Sequence, residues 1–325
     1  MTKVAIYGAG AIGGWMGVKL ARAGCDVSVV ARGATLKALQ QHGMRLETGG
    51  ETLAAPVRAS ASPSDLGAQD VAVIAVKSQA MAEVALCIGP LLGPETIVLT
   101  AMNGVPWWFF EGFGGEFAGT RLKAVDPDGT IARAIPARHV VGCVVHASCS
   151  VEAPGLVKHH FGNGLIIGEP AGGESTRVRE LAALLSTAGF DTQVSARIQK
   201  ETWYKLWGNM STNPVSAITG ATTDKILADD LVREFTTRVM LEAREIGARI
   251  GVPIDQTPED RHQVTRKLGA FRTSMLQDVE AGKSVELDAI VTVVKDLGQL
   301  TGVPTPFTDA LLGLARLHAR VRGLY

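Results

Sequence analysis

Residues 3–13 constrain this chain more than any other stretch. Lys3–Tyr7 is a short apolar run rich in strand formers, and it enters Gly8-Ala9-Gly10-Ala11-Ile12-Gly13, a G-x-G-x-x-G string. Apolar residues at helical spacing follow from Ile12 to Ala23, and Gly24 stands where a helix C-cap belongs. The string alone carries little. Between a strand and a helix it is the local architecture that seats a dinucleotide pyrophosphate. Gly8 permits the tight turn, Gly10 leaves the backbone open to phosphate, and Gly13 lets the helix lie close on the strand. The first N–H groups of the helix then face the anion. Gly8, Ala9, Gly10, Ala11, Ile12 and Gly13 are therefore the candidate pyrophosphate contacts; the competing reading is a glycine-rich turn with no ligand.

A second strand is predicted at Asp26–Val30, and its end decides which nucleotide suits the site. Proteins that bind NAD carry Asp or Glu there, about 20 residues past the glycines, to hold the ribose 2′-hydroxyl. Here the strand runs out through Val29-Val30-Ala31-Arg32, and Asp26 lies at its start. Arg32 is placed to pair with a 2′-phosphate. That points to NADP(H), preferred by about ten- to a hundredfold if the pairing is a charge-assisted hydrogen bond. The alternative is a solvated surface arginine. Lys77 follows the predicted strand Val71–Val76, and Asn103 follows Thr96–Thr100 in Met102-Asn103-Gly104. Carboxyl ends of strands are where open α/β sheets bind ligands. Singly, each is equally well a turn residue; beside the glycine motif they read as part of a site.

Continuous apolar runs of this kind fit a parallel sheet covered on both faces. Further strands are predicted at Val140–Val145, Gly164–Ile167 and Thr192–Val194, with a helix at Ser175–Ser186. Beyond about residue 195 the strand pattern stops, and Gln199–Ile218, Leu227–Ile250, Gln263–Ala281, Val285–Thr301 and Thr308–Val321 read as helices. Gly251-Val252-Pro253 and Gly302-Val303-Pro304 break them. The expected organisation is an α/β domain with a mostly parallel sheet over 1–195 and an all-α domain over 196–325, since 325 residues are long for one core.

Lys+Arg and Asp+Glu are equal at 32 each, so no global field favours nucleic acid or an anionic membrane. Cys25, Cys87, Cys143 and Cys149 form no CxxC and no zinc-type cluster, so no metal is expected. Sparse thiols suit a reducing compartment and read as small buried hydrophobes. Met1 leads almost at once into a strand pattern, and no apolar run reaches the roughly 18 residues that span a bilayer. The expected location is the cytoplasm.

Glu201, Lys205, Asn209 and Asn213 recur every four residues, which on a helix makes one polar stripe, with Trp203, Leu206, Trp207 and Met210 free to pack elsewhere. Pro214 is expected to distort the helix just beyond it. A second polar group runs from Ser274 through Gln277, Asp278 and Glu280 to Glu286 and Asp288. Spacing alone leaves open whether these groups meet in space, or whether the stripe is a solvated face with a Glu201–Lys205 ion pair.

The glycine motif with Arg32, Lys77, Met102-Asn103-Gly104, Trp203-Tyr204-Lys205-Leu206 with Asn209 and Asn213, and Ser274-Met275-Leu276-Gln277-Asp278 through Glu286 together resemble the ketopantoate reductase family (2-dehydropantoate 2-reductases) over nearly the whole chain. The resemblance implies a Rossmann domain plus a helical domain with the active site in the cleft. It implies NADPH-dependent reduction of a 2-keto acid, with ketopantoate the leading substrate. Lys205 is then the general acid and Glu286 orders the site beside cofactor and substrate. Asn103, Asn209, Asn213 and Ser274 hydrogen-bond substrate or cofactor, while Arg32 and Lys77 serve the cofactor.

The chain also departs from the family pattern. Pro106–Gly115 is unusually aromatic and glycine-rich, either a lid over the substrate pocket or a packed loop or subunit contact. Ala289-Ile290-Val291-Thr292 lacks an Asn-Gly common in the family. His146 is expected near a strand end and His159-His160 as a surface pair, none with a catalytic role. A related dehydrogenase of another 2-keto, 3-hydroxy or opine-type acid and a non-catalytic NADPH sensor remain alternatives. The oligomeric state stays open, a homodimer included.

Overall fold

The computed structural model describes all 325 residues, Met1–Tyr325. They form two compact units: Met1–Asn103, Trp107–Phe113 and Asp128–Glu201 in one, and Gly104–Pro106, Gly114–Pro127 and Thr202–Tyr325 in the other. The main division thus falls between Glu201 and Thr202, a few residues beyond the passage expected at 195.

The first unit contains β1 (Lys3–Tyr7), α1 (Ala11–Arg22), β2 (Asp26–Val30), α2 (Gly33–His42), β3 (Met44–Thr48), β4 (Glu51–Ala55), β5 (Arg58–Ser60), β6 (Gln69–Ile74), α3 (Met81–Cys87), β7 (Leu92–Ala101), α4 (Thr130–Ala134), β8 (Val140–Ala153), β9 (Leu156–Gly168), α5 (Thr176–Thr187) and β10 (Asp191–Val194). The strands make one sheet, ordered β4-β3-β9-β8-β7-β6-β1-β2-β5, with β10 beside β9. All its pairings are parallel except β3 with β4 and β8 with β9. It is a Rossmann-type sheet, and its inner strands are buried for the reason their sequences gave: Val4, Ile6, Val29, Val73, Leu99 and Val141 share one core with Trp15 and Met16 of α1.

Several elements had no clear signal. α2 and the short strands β3, β4 and β5 were not anticipated; the β3–β4 hairpin turns on Gly49-Gly50, both at positive φ. Val140–Val145 and Gly164–Ile167 are only parts of two long antiparallel strands whose other residues are mostly half-buried or exposed. His146 therefore lies within β8, paired with Gly164, and not at a strand end. His159 is half-buried and not a surface residue: its ring stacks on Trp15 at 5.7 Å and hydrogen-bonds the Thr48 hydroxyl at 3.1 Å. The aromatic stretch is no exposed lid. Trp107, Trp108, Phe109 and Phe110 are buried within the first unit, and the Trp108 indole N–H donates to Thr100 Oγ1 at 3.2 Å.

α6 (Ile198–Thr219) carries the chain into the second unit, followed by α7 (Thr223–Ala228), α8 (Asp230–Arg249), α9 (Pro258–Arg266), α10 (Ser274–Glu280), α11 (Val293–Thr301) and α12 (Pro306–Val321). α6 continues five residues past Pro214, while the Ser211 and Thr212 hydroxyls donate to the Gly208 carbonyl one turn back, at 3.0 and 2.9 Å. Two expected helices are broken by local capping. Asp229 accepts from Val232 N and starts α8 afresh. A Thr257–Asp260 capping box with Pro258 starts α9 early, and Thr273 caps α10 separately. Val285–Thr301 is also not one α-helix, because Asp288–Thr292 is a π-helical turn. No helix is long and apolar enough to cross a membrane.

Glu169, just beyond β9, accepts hydrogen bonds from Arg177 Nε at 2.7 Å and Ser175 Oγ at 2.5 Å. Burial alone would raise its carboxyl, but the Arg177 and Ser175 donors outweigh burial and hold it below the usual range. Such a group stabilises the fold above its unfolded pKa and loses that contribution as pH falls through the folded value. Glu169→Gln should therefore cost about 1–3 kcal/mol at neutral pH, a deficit that shrinks below about pH 4. Urea midpoints measured from pH 7 to pH 3 check this; a deficit constant across that range contradicts it.

Candidate active site

At one end of the sheet, four adjacent parallel strands present the expected residues in a row. They are β2 leading to Arg32, β1 leading to Gly8, β6 leading to Lys77 and β7 leading to Asn103. The glycine loop has the geometry its sequence required. Gly8 turns at φ +101°, and a side chain there would meet Val76 and the Ala75 carbonyl. A Cβ on Gly13 would lie 2.0 Å from the Gly8 carbonyl oxygen, so only glycine lets α1 come this close to β1. At Gly10 a Cβ would meet nothing within 4 Å. The protein thus leaves space above Gly10, where the motif needs room for phosphate. Gly10 is the N-cap of α1, with no side-chain cap and no acid in the first turn. The N–H groups of that turn are thus open to an anion, as a pyrophosphate requires. The residues present fit a dinucleotide.

Arg32 is the N-cap of α2, again without a side-chain cap or a first-turn acid. Its guanidinium is half exposed and ion-paired with Glu83 of α3, a partner the sequence reading did not anticipate. The pairing keeps Arg32 firmly charged. Tyr7, the last residue of β1, is buried beside them, and burial first, then the nearby Cys87 and Glu83, push its hydroxyl pKa up against the pull of Arg32. Lys77 is half-buried at the start of the turn that precedes α3, three residues past the end of β6. Asn103 is half-buried two residues past β7.

In the second unit, α6 is fixed by two indoles. Trp203 Nε1 donates to the Ala243 carbonyl at 3.2 Å and Trp207 Nε1 to the Met240 carbonyl at 2.8 Å, both on α8. At about 100° per residue, Lys205 and Asn209 each stand about 200° from a tryptophan two residues before, on the face turned away from α8. Asn213 is buried, with the Thr212 hydroxyl 3.5 Å from its Oδ1. Ser274 is the exposed first residue of α10.

Glu286 is half-buried just before the π-helical turn Asp288–Thr292. That turn is anchored twice. Asp288 accepts from the Thr292 and Tyr325 hydroxyls at 2.9 and 2.8 Å, and the Ala289 carbonyl accepts from Val105 N at 2.8 Å. A Cβ on Gly104 would lie 2.4 Å from that same carbonyl. Single π-helical turns gather at functional sites. Here one connects the segment of Glu286 to the two residues that follow Asn103. Sequence periodicity could not have shown it, because a single wider turn inside a helix is too short to change the apolar pattern around it.

The ketopantoate reductase PanE/ApbA model matches residues 4–172, and the model for its C-terminal region matches residues 197–319. The chain belongs to the ketopantoate reductase PanE/ApbA family. A 2-dehydropantoate 2-reductase of Mesorhizobium japonicum is 47% identical over 99% of both chains. Among solved structures, a candidate ketopantoate reductase of Ralstonia solanacearum is 55% identical, with TM-score 0.96 over the full length of both chains. The 2-dehydropantoate 2-reductase of Geobacter metallireducens is 26% identical, with TM-score 0.85 over 97% of this chain and 99% of that one. In the present chain Trp107, Trp108, Phe109 and Phe110 of the stretch Pro106–Gly115 are buried, so this part of it acts as core.

The two inner glycines should respond differently to one methyl group. Gly10→Ala meets no protein atom and should fold with only the small loss, up to about 1 kcal/mol, of an alanine at a helix N-cap, yet weaken NADPH binding at least about tenfold by filling the phosphate space. Gly13→Ala must push α1 off β1 and should lose both stability and binding. Melting temperatures and nucleotide titrations distinguish them; a Gly10→Ala protein with wild-type affinity would place the phosphates elsewhere.

Proposed function

We propose that this chain is an NADPH-dependent reductase that converts 2-dehydropantoate to pantoate. The nucleotide half rests on one observation: open space at Gly10 before an uncapped helix N-terminus, with a guanidinium at the end of the next strand. The substrate half is supported by family membership and by the name of the 47% identical relative. In this reading residues 1–195 hold the nucleotide, and residues 196–325 supply the acid and most substrate contacts.

NADPH, when bound, supplies the hydride that goes to C2 of the keto acid. Negative charge then develops on the carbonyl oxygen, and the Lys205 ammonium stabilises it and donates the proton. Glu286 holds the local charge balance and orders the site. Asn103, Asn209, Asn213 and Ser274 bind substrate or cofactor oxygens through neutral amides and a hydroxyl, which orients them without adding charge. Gly8, Ala9, Gly10, Ala11, Ile12 and Gly13 hold the pyrophosphate, with Arg32 and Lys77 on the remaining nucleotide anions.

NADPH oxidation against a panel of 2-keto acids tests the proposal. Ketopantoate should give the highest kcat/KM; preference for another keto acid, or no turnover with any, would overturn it. Lys205→Ala should lower kcat by about 10²–10⁴ while still binding NADPH. Near wild-type kcat in that variant would remove Lys205 from the acid role.

A further inference from the structure

Resting on the NADP reading of Arg32, we infer that Glu83 is a specificity-determining residue. Its carboxylate competes with the 2′-phosphate for Arg32. When no phosphate is present, it offers the adenosine ribose an acceptor for its 2′-hydroxyl. The strand end where NAD-binding proteins keep an acid has none here, since Val30-Ala31-Arg32 leads straight into α2. The missing carboxylate arrives from another element. Glu83 lies on α3, after β6, and reaches across to pair with Arg32 after β2. β1 lies between those two strands in the sheet, and its glycine loop leads into α1.

Three features make this more than a solvated surface pair. Met81, Val84 and Ala85 are buried and fix the rotation of α3. Glu83 pairs directly with Arg32, so this face of α3 is turned toward the end of β2 and the neighbouring end of β1. Arg32 itself is held at the start of an uncapped helix, where an anion is favoured and no other first-turn acid competes.

The two cofactors therefore meet different partners. A 2′-phosphate brings nearly two negative charges to Arg32, forms the stronger charge-assisted bond and must displace or repel Glu83. A 2′-hydroxyl can donate to Glu83 while the ion pair stays intact. Both side chains are about half exposed, so breaking the pair costs little, and the competition is a modest tuning of selectivity. The chain is accordingly less selective for NADPH than Arg32 alone would make it, and it retains NADH binding.

The test is a pair of dissociation constants, for NADPH and NADH, read from nicotinamide fluorescence in wild type, Glu83→Gln and Arg32→Ala. Glu83→Gln should bind NADPH about two- to fivefold more tightly and NADH more weakly by a similar factor, so that the NADPH:NADH selectivity rises by about fivefold or more. Glu83→Asp, which keeps the charge, should stay close to wild type. If Glu83→Gln leaves selectivity unchanged or lowers it while Arg32→Ala weakens NADPH alone, the inference on Glu83 fails and the NADP reading stands. If Arg32→Ala affects both nucleotides equally or neither, the NADP reading fails and takes the inference with it.

Discussion

The contact on which the glycine-loop end of the sheet depends is that of α1 with β1, made at the Gly8 carbonyl by a residue with no side chain. A methyl group at Gly13 would sit 2.0 Å from that oxygen. The close approach does two things at once. It buries Trp15 and Met16 of α1 in the sheet core, and it aims the uncapped start of the helix along the space above Gly10. Because β2, β6 and β7 lie in parallel register around β1, their ends bring Arg32, Lys77 and Asn103 to the same edge. A packing constraint inside the core thus sets uncapped helix N–H groups at its rim, where the proposed function seats the pyrophosphate.

The second unit follows a comparable logic with different parts. α6 carries polar residues on one face because its opposite face is held to α8 by two indole hydrogen bonds, which fix its rotation as well as its position. Burying an indole N–H without a partner would cost free energy, so each bond admits a narrow range of rotations. The π-helical turn at Asp288–Thr292 is held in turn by Tyr325 and by Val105, so the segment of Glu286 is anchored from two distant parts of the sequence.

How far the sequence could be read follows from where each signal resides. The Rossmann-type fold was legible because β1, β2 and the inner strands are continuous apolar runs, and the glycine motif lies within a few residues. β3, β4 and β5 were not, because short strands at or next to the sheet's edges, with polar faces, lack such runs. The breaks at Asp229 and Thr273 were missed because a capping residue inside a periodic stretch is masked by the apolar pattern on either side. Of the site, the glycines and Arg32 could be found locally. Glu83 could not: it is an ordinary helical acid until folding carries α3 to the end of β2. Lys205, Asn209 and Asn213 show only as a stripe, to which the resemblance assigns a role.

The measurement closest to the centre of this account is a crystal structure with NADPH bound. The pyrophosphate should lie within hydrogen-bond reach of the first N–H groups of α1, above Gly10, with the 2′-phosphate on Arg32. A nucleotide seated away from Gly10, or with its adenosine end turned from Arg32, would contradict the assignment of this edge of the sheet as the cofactor site.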